Sequence, residues 1–185
     1  MKFVLIRHGE SEGNVAHEIN DNPGRVVNLT QKGRAQAGAA GEVLRGWRFT
    51  HAYASQFPRA QQTAEIILRQ QACELRIDPR INERRSGMDG LPVHVFNDMV
   101  RVDRLRTKPE RGESFLEQME RVRGFLDEVA ARHPDGLVLA VSHQDPILAA
   151  VALDAVALAA GDPEEIACRE LANCEWVELD WPAKR

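Results

Sequence analysis

Lys2-Phe3-Val4-Leu5-Ile6-Arg7-His8-Gly9-Glu10-Ser11 is the stretch that decides the fold of this chain. Phe3, Val4, Leu5 and Ile6 form an unbroken apolar run, the pattern of a short strand covered on both faces. The run ends at once on a guanidinium, an imidazole and a glycine. In open α/β sheets the turns beyond the strands' carboxyl ends form the ligand crevice. Histidine can serve there as base, acid or nucleophile near neutral pH. Alone, the segment fits equally a surface His-Gly turn beside a salt-bridged Arg7. Its meaning depends on what the rest of the chain sets beside it.

Outward from this strand, helical and extended patterns alternate. Residues 14–28 read as a loop. Thr30 suits the cap of a helix over 31–45, with Ala35, Ala39, Val43 and Leu44 on its inner face. Residues 50–55 read as a second short strand. Pro58 then opens a helix that carries Ala60, Ala64, Ile67 and Leu68 at helical spacing. Residues 74–77 are a third strand. Ser114 and Glu117 make a capping box before an amphipathic helix whose apolar positions are Phe115, Met119, Val122, Leu126 and Val129. Pro134-Asp135-Gly136 ends it and leads into a fully apolar strand over 137–141. Asp145 and Pro146 suit the cap and first position of a further helix reaching Ala160. Residues 176–181 alternate as a half-buried closing strand. This order predicts a three-layer α/β/α sandwich, a mostly parallel sheet with helices on both faces. Residues 87–111 are the least regular part and read as a short lid excursion with a helix over 93–105.

At 185 residues, 43% hydrophobic and 28% charged, the chain has the size and balance of a single globular domain over 1–185. Its net charge of −4 argues against a nucleic-acid partner. There is no membrane-length apolar run and no pattern of a secretory leader. Cys73, Cys168 and Cys174 are odd in number and lack C-x-x-C spacing, so a reduced, cytoplasmic setting is expected.

Three strand ends carry unusual polar groups. The first gives Arg7 and His8, and the second ends at Ser55, just before Arg59 in a helix's opening turn. The third ends at Ser142-His143. If these strands are parallel neighbours, two imidazoles and two guanidiniums converge on one crevice. Arg forks grip phosphate oxygens bidentately, and a helix N-terminus already favours anions. A metal is the competing occupant. It would need a third ligand from Glu10, Glu12 or Asp145, and Arg7 and Arg59 would repel a cation. No metal is expected.

Arg7-His8-Gly9-Glu10-Ser11 with Asn14 resembles the opening signature of the histidine phosphatase superfamily, the phosphoglycerate mutase-like fold. Ser55-x-x-x-Arg59-Ala60-x-Gln62-Thr63-Ala64 is similar to that family's second motif. Asn82-Glu83-Arg84-Arg85-Ser86-Gly87 followed by Gly90 resembles its acid-base segment, and Gly112-Glu113-Ser114 and Val141-Ser142-His143 complete the order. The resemblance implies that His8 attacks phosphorus and that Arg7, Asn14, Arg59 and His143 bind the phosphoryl group. It implies that Glu83 protonates the leaving oxygen and later accepts a proton from water. No cofactor is implied, and the partner is a small phosphorylated substrate. Singly, Asn14 reads as a chain turn and Glu83 as part of a solvated charge cluster; only the ordered set assigns them.

The departures favour a phosphatase over a mutase. Ser86 and Gly13 stand where the mutases carry Tyr and Trp, and a Thr-Gly pair is missing from residues 18–24. The excursion after Glu83 is short for an enzyme that must shield a phosphoenzyme from water. Mutase-type phosphotransfer and a non-catalytic phosphate-binding module are the alternatives.

Gln144-Asp145 follows His143, and an anion so near a phosphate site is expected to point away. Arg84, Arg85, Arg101, Arg104, Arg106, Lys108 and Arg111 make the lid region basic. They either recognise a second anionic group or form a solvated face balanced by Asp98, Asp103 and Glu110. His17, His51, His94 and His133 are expected to be surface or structural. The helix over 147–160 is apolar enough for core or for a homodimer interface.

Overall fold

The computed structural model describes residues 1–182. Five strands form one sheet: β1 (Lys2–Arg7), β2 (His51–Ala54), β3 (Leu75–Ile77), β4 (Leu137–Ser142) and β5 (Trp176–Asp180). Their spatial order is β3-β2-β4-β1-β5, parallel throughout except for the antiparallel edge strand β5. The helices are α1 (Glu12–Ala16), α2 (Gln31–Val43), α3 (Pro58–Leu68), α4 (Val93–Val100), α5 (Phe115–Arg132), α6 (Gln144–Leu158) and α7 (Pro163–Ala167). The three-layer architecture expected from the alternating patterns is present.

The unbroken apolar strands are explained by burial on both faces. Phe3 and Leu5 of β1, Tyr53 of β2, and Val138 and Ala140 of β4 join one core with α5, α6 and α7. Val4, Ile6, Ala52, Ala54, Leu139 and Val141 join a second core with α2 and α3 on the opposite face. Successive side chains point to alternate faces, so each strand feeds both cores. β5, by contrast, alternates buried Leu179 with exposed Glu178 and Asp180, as an edge strand should.

The capping box of α5 forms as expected. Ser114 accepts from the Glu117 backbone, Glu117 accepts from the Ser114 backbone, and all five named apolar positions are buried. Three expectations need correction. The inner face of α2 is Gly33, Ala37 and Ala40, continued by Leu44, whereas Ala35, Ala39 and Val43 face solvent. The cause lies at Gly33, whose Cα packs on the backbone of Glu10, while Gly9 packs on the backbone of Gly33; a Cβ at either position would overlap its neighbour. Glycine thus sets the face, and α2 clamps the His8 turn. The loop 14–28 begins with α1, capped by Ser11. In α6 the cap position is His143 with no side-chain bond, so Asp145 lies inside the first turn and does not cap.

The lid helix stops at Val100, short of the expected 105, and Leu105 turns inward to the core of α5 and α6. α6 spends its apolar surface mainly on that same core, with Val156 and Leu158 left exposed near its end. No helix among the described residues is long and apolar enough to cross a membrane.

Candidate active site

β4 lies between β1 and β2, and its register pairs Arg7 with Ser142 and Ala54 with Val141. The three strands therefore end within one residue of each other. Their next residues, His8, Ser55 and His143, meet on one side of the sheet's carboxyl edge, with rings of the two histidines 5.1 Å apart in an edge arrangement.

His8 is held from both sides. Its Nδ1 lies 2.7 Å from the Gly9 carbonyl oxygen, which can only accept, so Nδ1 carries the proton. Its Nε2 accepts from Arg59 Nε at 3.1 Å. Burial and the Arg59 charge push its pKa well below the ordinary histidine value, so the ring is neutral, with its Nε2 lone pair engaged by Arg59 at the pocket wall. His143 is fully buried and is likewise pushed far down by burial and Arg59. Its Nδ1 faces Arg59 Nη2 at 3.2 Å, and its Nε2 meets Ser55 Oγ at 2.8 Å. Arg59 can only donate, so His143 Nδ1 accepts and its Nε2–H donates to Ser55 Oγ.

Arg59 is the hub. It enters in the first turn of α3, lies over the Phe57 ring with 4.4 Å from its guanidinium carbon to the centroid, and is almost fully buried. Besides the two histidines it donates to both the side-chain and backbone oxygens of Asn20, the latter at 3.1 Å. Burial lowers its pKa to about 10, which leaves it charged at neutral pH. Arg7 is anchored through Nη1 on the Leu171 carbonyl and on Gln144 Oε1 at 3.3 Å. Its buried Nε has no partner among the described residues. An unmade bond of that kind costs about 1–3 kcal/mol, which a bound anion would relieve.

Asn14 occupies the third position of α1. Its Oδ1 accepts from the Ser11 N–H at 3.0 Å, so its Nδ2 is the group left to donate toward the pocket. Glu83 follows a single 3-10 turn over Pro79–Ile81, with its Oε2 3.9 Å from His143 Nδ1. Burial and the nearby Asp145 charge push Glu83 up to about 7, against the pull of the Arg84 N–H, Arg59 and Arg7. It can hold a proton near neutrality, which a solvated loop carboxylate cannot.

A cavity of about 420 Å³ joins these groups. Arg7, His8, Asn14, Arg59 and Glu83 line it, and His143 lies directly behind them against Arg59. All six expected residues are thus brought together, five at the wall and one behind it. Asp145 does not point away as expected. It lines the cavity, where Arg104 holds one carboxylate oxygen at 3.1 Å and buried Arg84 approaches the other at 3.8 Å. Two arginines supply what makes an anion tolerable so close to a phosphate site.

Among the four histidines set aside, His51 and His133 stack on each other with ring centroids 3.5 Å apart, and none lines the cavity. Among the described residues no group of three or more His, Cys, Asp or Glu side chains is placed to hold a metal ion. Asn20 and Gln144, which steady Arg59 and Arg7, are residues that sequence reasoning misses. Neither has periodicity, and both act through partners far away in sequence.

A family model for the histidine phosphatase superfamily (branch 1) matches residues 3–185. A probable phosphoglycerate mutase GpmB of Erwinia tasmaniensis is 32% identical over 151 residues, spanning 77% of this chain and 69% of the relative. Fructose-2,6-bisphosphatase TIGAR B of Danio rerio is 32% identical over 165 residues, spanning 82% of this chain and 64% of the relative. Among solved structures, a mycobacterial glucosyl-3-phosphoglycerate phosphatase complexed with VO3 superposes with a TM-score of 0.83. It is 26% identical, with 97% of this chain and 90% of that one covered. The chain belongs to the histidine phosphatase superfamily, branch 1.

Proposed function

We propose that this chain is a metal-independent phosphatase that hydrolyses phosphomonoesters of small metabolites through a phosphohistidine on His8. The observation that carries the proposal is the state of His8. Its Nδ1 proton is tied to Gly9, and its unprotonated Nε2, capped by Arg59, lies at a cavity that also holds a carboxyl able to carry a proton near pH 7.

In the first half, His8 Nε2 attacks phosphorus, the ester P–O bond breaks, and its electron pair leaves with the alkoxide oxygen. Glu83 gives that oxygen a proton. Arg7, Arg59, Asn14 and His143 hold the phosphoryl oxygens and the two guanidiniums balance their charge, the largest contribution a protein makes to such a transfer. In the second half, water attacks phosphorus while Glu83 takes its proton. The P–N bond breaks and returns its pair to Nε2. Cationic side chains fill the place a metal takes in other phosphoryl-transfer sites. Support also comes from the relatives, whose names include bisphosphatase and phosphatase activities.

The test is hydrolysis of p-nitrophenyl phosphate in excess chelator by the parent and by His8→Ala. Chelator-resistant hydrolysis that His8→Ala abolishes is expected; full activity in the variant sinks the mechanism. Similarity to a probable phosphoglycerate mutase supports a second reading, phosphate transfer within a phosphorylated sugar acid. It requires isomerised product to outweigh free phosphate when a phosphoglycerate is supplied.

A further inference from the structure

Besides the phosphate-holding residues, the cavity wall includes Glu18, Arg84, Phe96, Asn97, Arg104, Asp145 and Glu170. With the phosphoryl group on Arg7, His8, Asn14 and Arg59, these are the wall residues left to meet the leaving group. The seven cations of the segment 84–111 suggested a seat for a second anion, yet only Arg84 and Arg104 reach the cavity. Arg85 is paired with Glu113, Arg106 with Asp103 and Lys108 with Glu117.

The two that do reach it are already committed. Arg104 holds one oxygen of Asp145 at 3.1 Å and Arg84 approaches the other at 3.8 Å. Arg84 also spends its donors on the backbone carbonyls of Glu113, Arg104 and Thr107, with its guanidinium over the Phe96 ring. Two cations therefore face three carboxylates, Glu18, Asp145 and Glu170. Glu18 has its own cation in Arg25, outside the wall, at 3.1 Å. No surplus positive charge remains for a carboxylate or a second phosphate. Three polar groups do remain open. Arg104 Nε is buried without a partner, Asn97 is exposed at the wall, and Glu170 makes no ion pair among the described residues. An N–H donor, an amide and a carboxylate around an aromatic face suit hydroxyl groups on a carbon skeleton.

We infer that the leaving-group wall of the cavity selects a neutral, hydroxyl-bearing alcohol, and that Asp145 is the residue that enforces this choice by occupying the two arginines that would otherwise bind an anion. The inference rests on the phosphatase reading of the same site. Specificity of this kind comes from a repulsive element as much as from new contacts.

A matched ligand pair tests it, since glycerol 3-phosphate and 3-phosphoglycerate differ by a hydroxymethyl against a carboxylate. Binding of both is measured by calorimetry in a His8→Ala background, where no turnover intrudes. The parent background should bind glycerol 3-phosphate about tenfold or more tighter, the scale of one like-charge contact at a partly wet site. Asp145→Asn, which frees Arg84 and Arg104, should move that ratio about tenfold toward 3-phosphoglycerate. Arg104→Gln should move it the opposite way and decides the matter if Asp145→Asn does not fold. Tighter binding of 3-phosphoglycerate by the parent background, or a ratio unmoved by the folded variants, overturns the inference. Hydrolysis of p-nitrophenyl phosphate by the native chain is read separately. Its absence with selective binding intact defeats the phosphatase reading alone, and its presence with an unmoved ratio defeats this inference alone.

Discussion

Arg59 Nε donates to His8 Nε2 across 3.1 Å, and so covers the lone pair that must reach phosphorus. A phosphoryl group entering the site has to draw this donor onto its own oxygens before His8 can attack. The guanidinium must therefore be held firmly enough to keep its place and loosely enough to turn. Asn20 does the holding, through both its side-chain and backbone oxygens.

Asn20→Ala removes the side-chain anchor and keeps the backbone one. We expect kcat/KM to fall about tenfold to a hundredfold, with Arg59→Ala costing more, on the order of a thousandfold. Steady-state kinetics on one aryl phosphate checks both. Equal rates for Asn20→Ala and the parent would show that Arg59 needs no such anchor.

Glu83 should set the alkaline side of the pH profile. With its pKa near 7, the protonated form that the first half needs is lost as pH rises, so kcat/KM for an alkyl phosphate falls through that pH. Glu83→Gln should remove this limb and cost about a hundredfold or more on an alkyl phosphate. The kcat/KM cost on p-nitrophenyl phosphate should be far smaller, because that leaving group departs without a proton and kcat/KM does not sense the second half, where Glu83 is the base. Equal losses on the two esters would mean that Glu83 is not the acid.

The same carboxyl makes a stability prediction. Its folded pKa, about 7, lies above the ordinary 4.5, so unfolding releases a proton across that window and stability falls as pH rises through it. Glu83→Gln should accordingly gain on the order of 1–3 kcal/mol over the parent at pH 8 and nothing at pH 4. Thermal melts at the two pH values read the difference as a few degrees. A variant that melts below the parent at pH 8 contradicts the burial of that charge.

Glu113 explains how the loop that carries Glu83 is held. Its buried carboxylate bridges Arg121 and Arg85, and accepts the Arg85 backbone N–H at 3.2 Å; Arg121 in turn donates to the carbonyls of Arg80 and Asn82. Those arginines hold its pKa below the usual carboxylate range despite burial. Glu113→Gln should destabilise the protein by about 3 kcal/mol in urea unfolding, since it leaves Arg121 poorly compensated. A change under 1 kcal/mol would mean the pair contributes little net.

Much of the site was legible because its residues sit at the ends of unmistakable strands. Arg7, His8 and His143 follow apolar runs that can only be buried, and parallel register brings such ends level. Glu83 lay in an irregular loop and was found through the order of motifs, since nothing local separates it from a solvated Glu-Arg-Arg cluster. The inner face of α2 is hidden in the sequence because its contact residues are Gly33, Ala37 and Ala40, too small to register as an apolar stripe. The place of Asp145 is hidden for a different reason. An anion beside a phosphate site looks unfavourable until Arg84 and Arg104 arrive from distant segments of chain, and no local pattern shows that they will.

The central claim, a phosphoryl group carried on His8 Nε2, is tested most directly by rapid acid-free quenching of the enzyme turning over a 32P-labelled phosphomonoester, followed by peptide mapping. The account predicts a transient, acid-labile and base-stable label on the peptide containing His8, absent from His8→Ala. Steady hydrolysis with no protein-bound phosphate when Glu83→Gln, slowed in the second half, turns over labelled p-nitrophenyl phosphate, or a label on another residue, would contradict it.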